Sequence, residues 1–121
     1  MKALGVALAL AILLTANEGR AAGGYISGQR LNELCSDEST SFNEGLCWGY
    51  IAGVYDAGKA LDTATNKRQW SAGWTACVPD GVLAGQLVEV VKKWLREHPA
   101  EWHYAAGGLV AASFEAAFPC R

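Results

Sequence analysis

Apolar residues recur at helical spacing along most of the chain, and the breaks between them are polar or carry proline and glycine. Leu31 and Leu34, following Ser27-Gly28-Gln29-Arg30, predict a short helix that ends near Cys35. A polar connector, residues 36 to 41, leads to Ser41-Phe42-Asn43-Glu44, a capping-box pattern that predicts a second helix over about 43 to 61. Its row Leu46, Tyr50, Val54 and Leu61, flanked by Cys47, Ile51 and Gly58, is expected to face the core. Pro79-Asp80-Gly81, with Asp80 as N-cap, opens a third helix whose stripe is Leu83, Leu87, Val90, Val91, Trp94 and Leu95. His98-Pro99 ends it, because a residue before proline avoids the helical region. A turn over Pro99 to His103 and a last helix over about 105 to 117, carrying Leu109, Val110, Ser113 and Phe114, complete the chain. The pattern is all-α, a small bundle of about four helices.

One row departs from this logic. Gly45, Gly49 and Gly53 repeat every four residues in the second helix and continue to Ala57. A glycine in a helix interior costs up to about 1 kcal/mol relative to alanine, so three in a row suggest close approach by another backbone. The simplest source is another helix of the same chain; the alternative is a self-association face. A membrane dimer motif is excluded by Asp56, Lys59 and the polar ends.

Asp62 to Ala76 has no apolar period and contains Trp70 and Trp74. Loops of this length in compact domains are uncommon and often functional. The two indoles are expected to fold over the core; an exposed one would be an interface anchor.

The first 22 residues change how the composition reads. The chain has 121 residues and is 51% apolar, but 15 of the apolar residues lie in this segment. Lys2, the run Ala3 to Ala16 and the small residues around Ala21 and Ala22 have the form of a signal peptide, with cleavage expected at one of those two alanines. The run is shorter than the ~20 residues a spanning helix needs. Residues 23–121 then form a single domain, in which an even number of cysteines in an oxidising compartment implies disulfides rather than metal or thiol redox chemistry. Up-and-down helix order, with the long loop returning the chain, would bring all four thiols to one pole. The pairing that follows is Cys47 with Cys77 and Cys35 with Cys120.

Candidate chemistry is sparse. The net charge of the whole chain is −2, and Lys92, Lys93 and Arg96 share a face with Glu89 and Glu97, so no basic surface invites nucleic acid. Ser113 has no nucleophile-elbow context, and His98 and His103 are five residues apart, the wrong spacing for a metal pair on one helix face. They are expected to be a cap and a surface or half-buried residue respectively. Asp56 is the most suggestive acid, but no partner base is evident and a buried structural hydrogen bond is the better expectation. Glu33, Glu38 and Glu44 are simply solvated. Neither a catalytic residue nor a cofactor is expected.

The order of short motifs is nevertheless specific. Ser-Gly-x-x-Leu-x-x-Leu-Cys at 27–35, Cys-x-Gly-Tyr-Ile-x-Gly-x-x-Asp at 47–56, Cys-x-Pro at 77–79, Gln-Leu-x-x-Val-Val-x-x-x-Leu at 86–95, His-Pro at 98–99 and Ala-Phe-Pro-Cys at 117–120 resemble the Rap/Tai family of type VI secretion amidase-immunity proteins. The resemblance spans nearly all of residues 23–121. It implies a helical, disulfide-bonded periplasmic protein, typically a homodimer, that binds a secreted peptidoglycan amidase effector and occludes its active-site cleft. Asn66, Lys67, Arg68, Gln69 and Trp70, in the long loop, are then the candidate partner-binding residues. The alternative is a general periplasmic helical binding or chaperone-like module without a toxin partner, its exposed aromatics holding envelope clients.

Overall fold

The computed structural model describes residues 25–37, 39–65 and 75–120. The predicted signal peptide and the segment 66–74, with Trp70 and Trp74, lie outside them. The described residues form four α-helices, α1 (Gly28–Ser36), α2 (Ser41–Thr65), α3 (Ala84–Glu97) and α4 (Ala106–Ala117), with a 3-10 turn at Pro99–Glu101. The all-α expectation holds, and each helix touches the other three.

The core is built from one stripe per helix. Leu31 of α1, Ile51 of α2, Val91 and Leu95 of α3, and Val110 and Phe114 of α4 are fully buried, and Leu87, Val88 and Leu109 nearly so. The α3 stripe agrees with the sequence pattern except at Leu83, which precedes the helix and is 73% exposed. On α2 the buried ridge is Cys47, Ile51 and Gly58, with Tyr50 and Val54 only partly covered and Leu46 exposed. The helix is thus rotated away from the expected Leu46 row. The bond between Cys47 and α1 accounts for the rotation, because it turns the Cys47 side inward.

Two helix starts differ from expectation. The Thr40 hydroxyl accepts the Asn43 N–H at 3.3 Å and its carbonyl accepts the Glu44 N–H, so Thr40 rather than Ser41 caps α2. Pro79-Asp80-Gly81 forms a turn instead of a helix start: Gly81 has φ +90°, and Val82 N–H donates to the Pro79 carbonyl. The third helix begins only at Ala84, after Leu83 and without a side-chain cap. Glycine is the residue that takes a positive φ without a Cβ clash, which ends any helix attempted from Asp80. By contrast, Ser27 caps α1 as its sequence suggests, accepting the Arg30 N–H at 3.2 Å.

The pairing of cysteines is a correction. The disulfides are Cys35–Cys47 and Cys77–Cys120, with Cα separations of 5.1 and 5.0 Å. A short connector folds α1 and α2 into a helical hairpin, which puts Cys35 against the neighbouring helix before the chain can travel anywhere else. Asp37 reinforces that corner. Its carboxylate accepts hydrogen bonds from Ser39 and from the Asn43 amide, and they hold its pKa below the usual carboxylate range. At the other end, the Cys77 N–H donates to the Phe118 carbonyl at 2.8 Å, aligning Cys77 with the chain terminus that carries Cys120.

The N-termini of α1 and α4 are stitched together by backbone alone. The Gly28 and Gln29 N–H groups donate to the Tyr104 and Trp102 carbonyls, and Ala106 N–H donates to the Ile26 carbonyl, each at 2.9 Å. Helix starts leave such donors unpaired, and here the neighbouring chain satisfies them. The approach requires the absence of a side chain at residue 28. A Cβ there would lie 2.2 Å from Leu109 Cδ1 and 3.1 Å from the Trp102 backbone. Gly28→Ala should therefore destabilise by about 1–3 kcal/mol, since overpacking forces strain into backbone that is already hydrogen-bonded. A thermal melt followed by circular dichroism reads the loss. An unchanged midpoint would mean that the stitch yields freely.

Candidate partner-binding surface

The predicted partner segment departs from a longer helix than expected. α2 runs to Thr65, past its predicted end near Leu61, and residues 66–74 separate it from the next described position, Thr75. Asn66, Lys67, Arg68, Gln69 and Trp70 all lie in that interval, outside the described residues. Its far side is anchored two residues after Thr75, where Cys77 is bonded to Cys120.

The glycine row is in view, and it does not serve the purpose first expected. Gly45, Gly49 and Gly53 are exposed, and among the described residues no atom beyond the helix's own nearby backbone comes within 4 Å of the position a Cβ would take at any of them. Among the described residues no other helix packs closely against the row. The bundle packs against the opposite side of α2, where Cys47, Ile51 and Gly58 are buried. Phe42 at 72% and Leu46 at 43% exposure flank the glycines on the outward face. The result is a surface with two apolar knobs near one end and a flat, side-chain-free strip beyond them. Asp56 lies on the same outward side and is exposed, so it anchors no buried hydrogen bond.

Several other aromatic residues pack against the bundle, while Tyr25 and Tyr104 are exposed. The Trp48 ring closes over Gly85, whose Cβ position is 3.1 Å from the indole. Trp102 Nε1 donates to the Leu95 carbonyl at 2.8 Å, and His98 Nδ1 lies 2.7 Å from the Trp94 carbonyl. Both rings thus meet carbonyls of the last turn of α3, the Leu95 carbonyl also accepting the His98 N–H. His98 also stacks on Trp94, with centroids 4.0 Å apart, and forms the end of the helix as expected. His103 is exposed and rests against Tyr104. Burial raises the Tyr50 pKa, opposed by a hydrogen bond with the Gly107 backbone.

The concave surfaces offer little chemistry. One groove of about 330 Å³ runs between α3 and α4 along Val90, Trp94, His98 and Ala117, and its hydroxyl, Ser113, is spent on the Val110 carbonyl. Another of about 320 Å³ lies against the Cys35–Cys47 disulfide and is rimmed by Asp37, Glu44, Glu89 and Lys92. Among the described residues no three His, Cys, Asp or Glu are grouped to hold a metal ion, and all four cysteines are in disulfides. What the arrangement does offer is shape: a cross-linked bundle with an outward apolar face on α2.

The profile of the Rap1a immunity proteins matches residues 18–120. The chain belongs to the Rap1a immunity protein family. No curated protein and no solved structure matches it. Membership in this family agrees with the resemblance found in the order of the motifs, and it fits a chain whose described surface is built for contact. The matched stretch contains all four helices, both disulfides and residues 66–74, so every feature above belongs to the family domain. Among the described residues no helix is long and apolar enough to cross a membrane. The two disulfides fit an exported protein.

Proposed function

We propose that this Rap1a-family protein is exported to the periplasm by residues 1–22 and there neutralises a type VI-secreted peptidoglycan amidase by occupying its active-site cleft. The family match over residues 18–120 carries the reading. Both disulfides support it, because such bonds persist in an oxidising compartment. Inhibition of this kind needs no catalytic group of its own. In sequence, the segment Asn66 to Trp70 lies between the end of α2 and Cys77, which is bonded to Cys120. Lys67 and Arg68 supply charge there and Trp70 a large apolar anchor, arginine and tryptophan being among the types enriched where binding energy concentrates.

The test is to export the candidate amidase to the periplasm with and without this protein. Rescue from lysis is expected. Lys67→Glu combined with Arg68→Glu should weaken binding at least about tenfold, a loss of ~1.4 kcal/mol, while the helical circular dichroism signal is retained. Unchanged affinity would remove the segment from the interface. Absence of rescue for any neighbouring amidase would leave a general periplasmic binding module as the better description.

The outward face of α2 is, in the same proposal, the surface on which two copies meet. Gly49 and Gly53 near the middle would let two α2 helices approach closely about a two-fold axis, with Phe42 and Leu46 of each copy covering the Ala57 end of the other. Gly49→Leu separates this from any effect on the single chain. The substitution is expected to abolish the dimer in sedimentation, yet a monomer should gain up to about 1 kcal/mol from better helix propensity. A dimer that survives it is formed elsewhere.

A further inference from the structure

The two disulfides occupy unlike surroundings. Cys35 and Cys47 are 6% and 2% exposed and belong to the core cluster. Their bond ties one helix to the next over a separation of 12 residues. Cys120 is exposed and Cys77 half-buried, neither lies in a helix, and their bond closes 43 residues that include all of α3 and α4. Exchange of a disulfide requires a thiolate to reach one of its sulfurs, so access separates bonds that are otherwise alike.

We propose that Cys77–Cys120 is a thiol–disulfide exchange site for a dithiol oxidoreductase of the Cys-x-x-Cys class, and that it opens while the bundle stays folded. A thiolate of the oxidoreductase attacks the Cys120 sulfur, the Cys77–Cys120 bond breaks, and Cys77 leaves as a thiolate that takes up a proton. The second thiol of the oxidoreductase then attacks the mixed disulfide, releasing Cys120 as a thiol. Two electrons pass to this protein, and the oxidoreductase departs with its own disulfide. The reverse sequence, with an oxidised partner of the same class, closes the bond again.

Local structure explains why opening stops there. Cys77 is also held by its backbone hydrogen bond to Phe118, and Val78, Val82 and Phe118 pack against the core from segments outside the helices. Losing the bond frees the chain end and the approach to α3, but it removes no fully buried side chain. The α1–α2 cross-link remains: Cys35 and Cys47 are buried members of the core cluster, and the groove against their bond is rimmed by Asp37, Glu44, Glu89 and Lys92.

The experiment treats the oxidised native protein with reduced thioredoxin, quenches samples with iodoacetamide, and maps the alkylated peptides while following the far-ultraviolet helical signal. Label is expected on Cys77 and Cys120 at least about tenfold faster than on Cys35 and Cys47, with the helical signal kept. Equal rates, or Cys35 and Cys47 labelled first, would overturn the proposal. So would label on Cys77 and Cys120 that rises only as helicity is lost, because reduction would then proceed through global unfolding.

Discussion

Phe114→Ala is expected to lower stability by about 3–5 kcal/mol, the largest loss from a single side chain in the bundle. Phe114 is fully buried on α4, and its ring meets the Tyr55 ring of α2 edge to face, with centroids 6.0 Å apart and planes at 89°. Truncation removes the transfer energy of the ring and also that aromatic contact, which adds about 0.5–1.5 kcal/mol beyond burial. Collapse into the space is opposed because α4 is held at its start by the backbone stitch to α1 and beyond its end by the Cys77–Cys120 bond. Small domains are stable by only about 5–15 kcal/mol, so the variant should sit close to unfolding at growth temperature. Urea denaturation with an unchanged slope measures it. Phe114→Leu should lose less than half as much, and a loss below about 1 kcal/mol for the alanine variant would mean that the core closes up around the missing ring.

Cys35→Ala combined with Cys47→Ala should cost about 4–5 kcal/mol. Releasing a loop of this size gives the unfolded chain roughly 3 kcal/mol of entropy in the chain-entropy model. The remainder, about 1–2 kcal/mol, comes from two sulfurs that fill space in the core, since both residues are buried. For Cys77 and Cys120 the balance differs. Their longer loop is worth up to about 4 kcal/mol by the same model, but little packing is lost with it because Cys120 is exposed. Guanidinium denaturation of the two double variants, each checked by mass for the surviving disulfide, gives both numbers. If the first variant lost no more than about 1 kcal/mol, the α1–α2 corner would be held instead by Asp37 and its bonds to Ser39 and Asn43.

Much of the fold was legible because helices are written in neighbours three and four residues apart. The α3 stripe Leu87, Val91 and Leu95, the Ser27 cap and the stop at His98-Pro99 are all local statements, and each is realised. Even local signals competed at the starts of α2 and α3. Thr40 and Ser41 are both competent caps, and Asp80 loses to Gly81, whose positive φ turns the chain away. The candidate site was less legible. The glycine repeat signals that a flat helix face matters, but it carries no information on which way the face points. The need for glycine at residue 28 was equally hidden, because the groups it must clear, Leu109 and the Trp102 backbone, lie more than seventy residues away in the chain.

The sequence by itself determined the helical class, the position of each helix to within a few residues, the presence of two disulfides and the family resemblance. Those follow from short-range periodicity, from cysteine count and from motif order. Only the tertiary structure decided which cysteines join, which side of α2 is buried, and that the Gly45, Gly49 and Gly53 strip faces outward. Each of these depends on how far the chain travels before it turns back, a property of connectors and of contacts between distant segments. A polar connector of four residues, 37–40, admits a hairpin, and the hairpin joins Cys35 to Cys47. Once that bond turns Cys47 inward, the 100° step between successive helix residues carries the glycine row to the opposite, outward side.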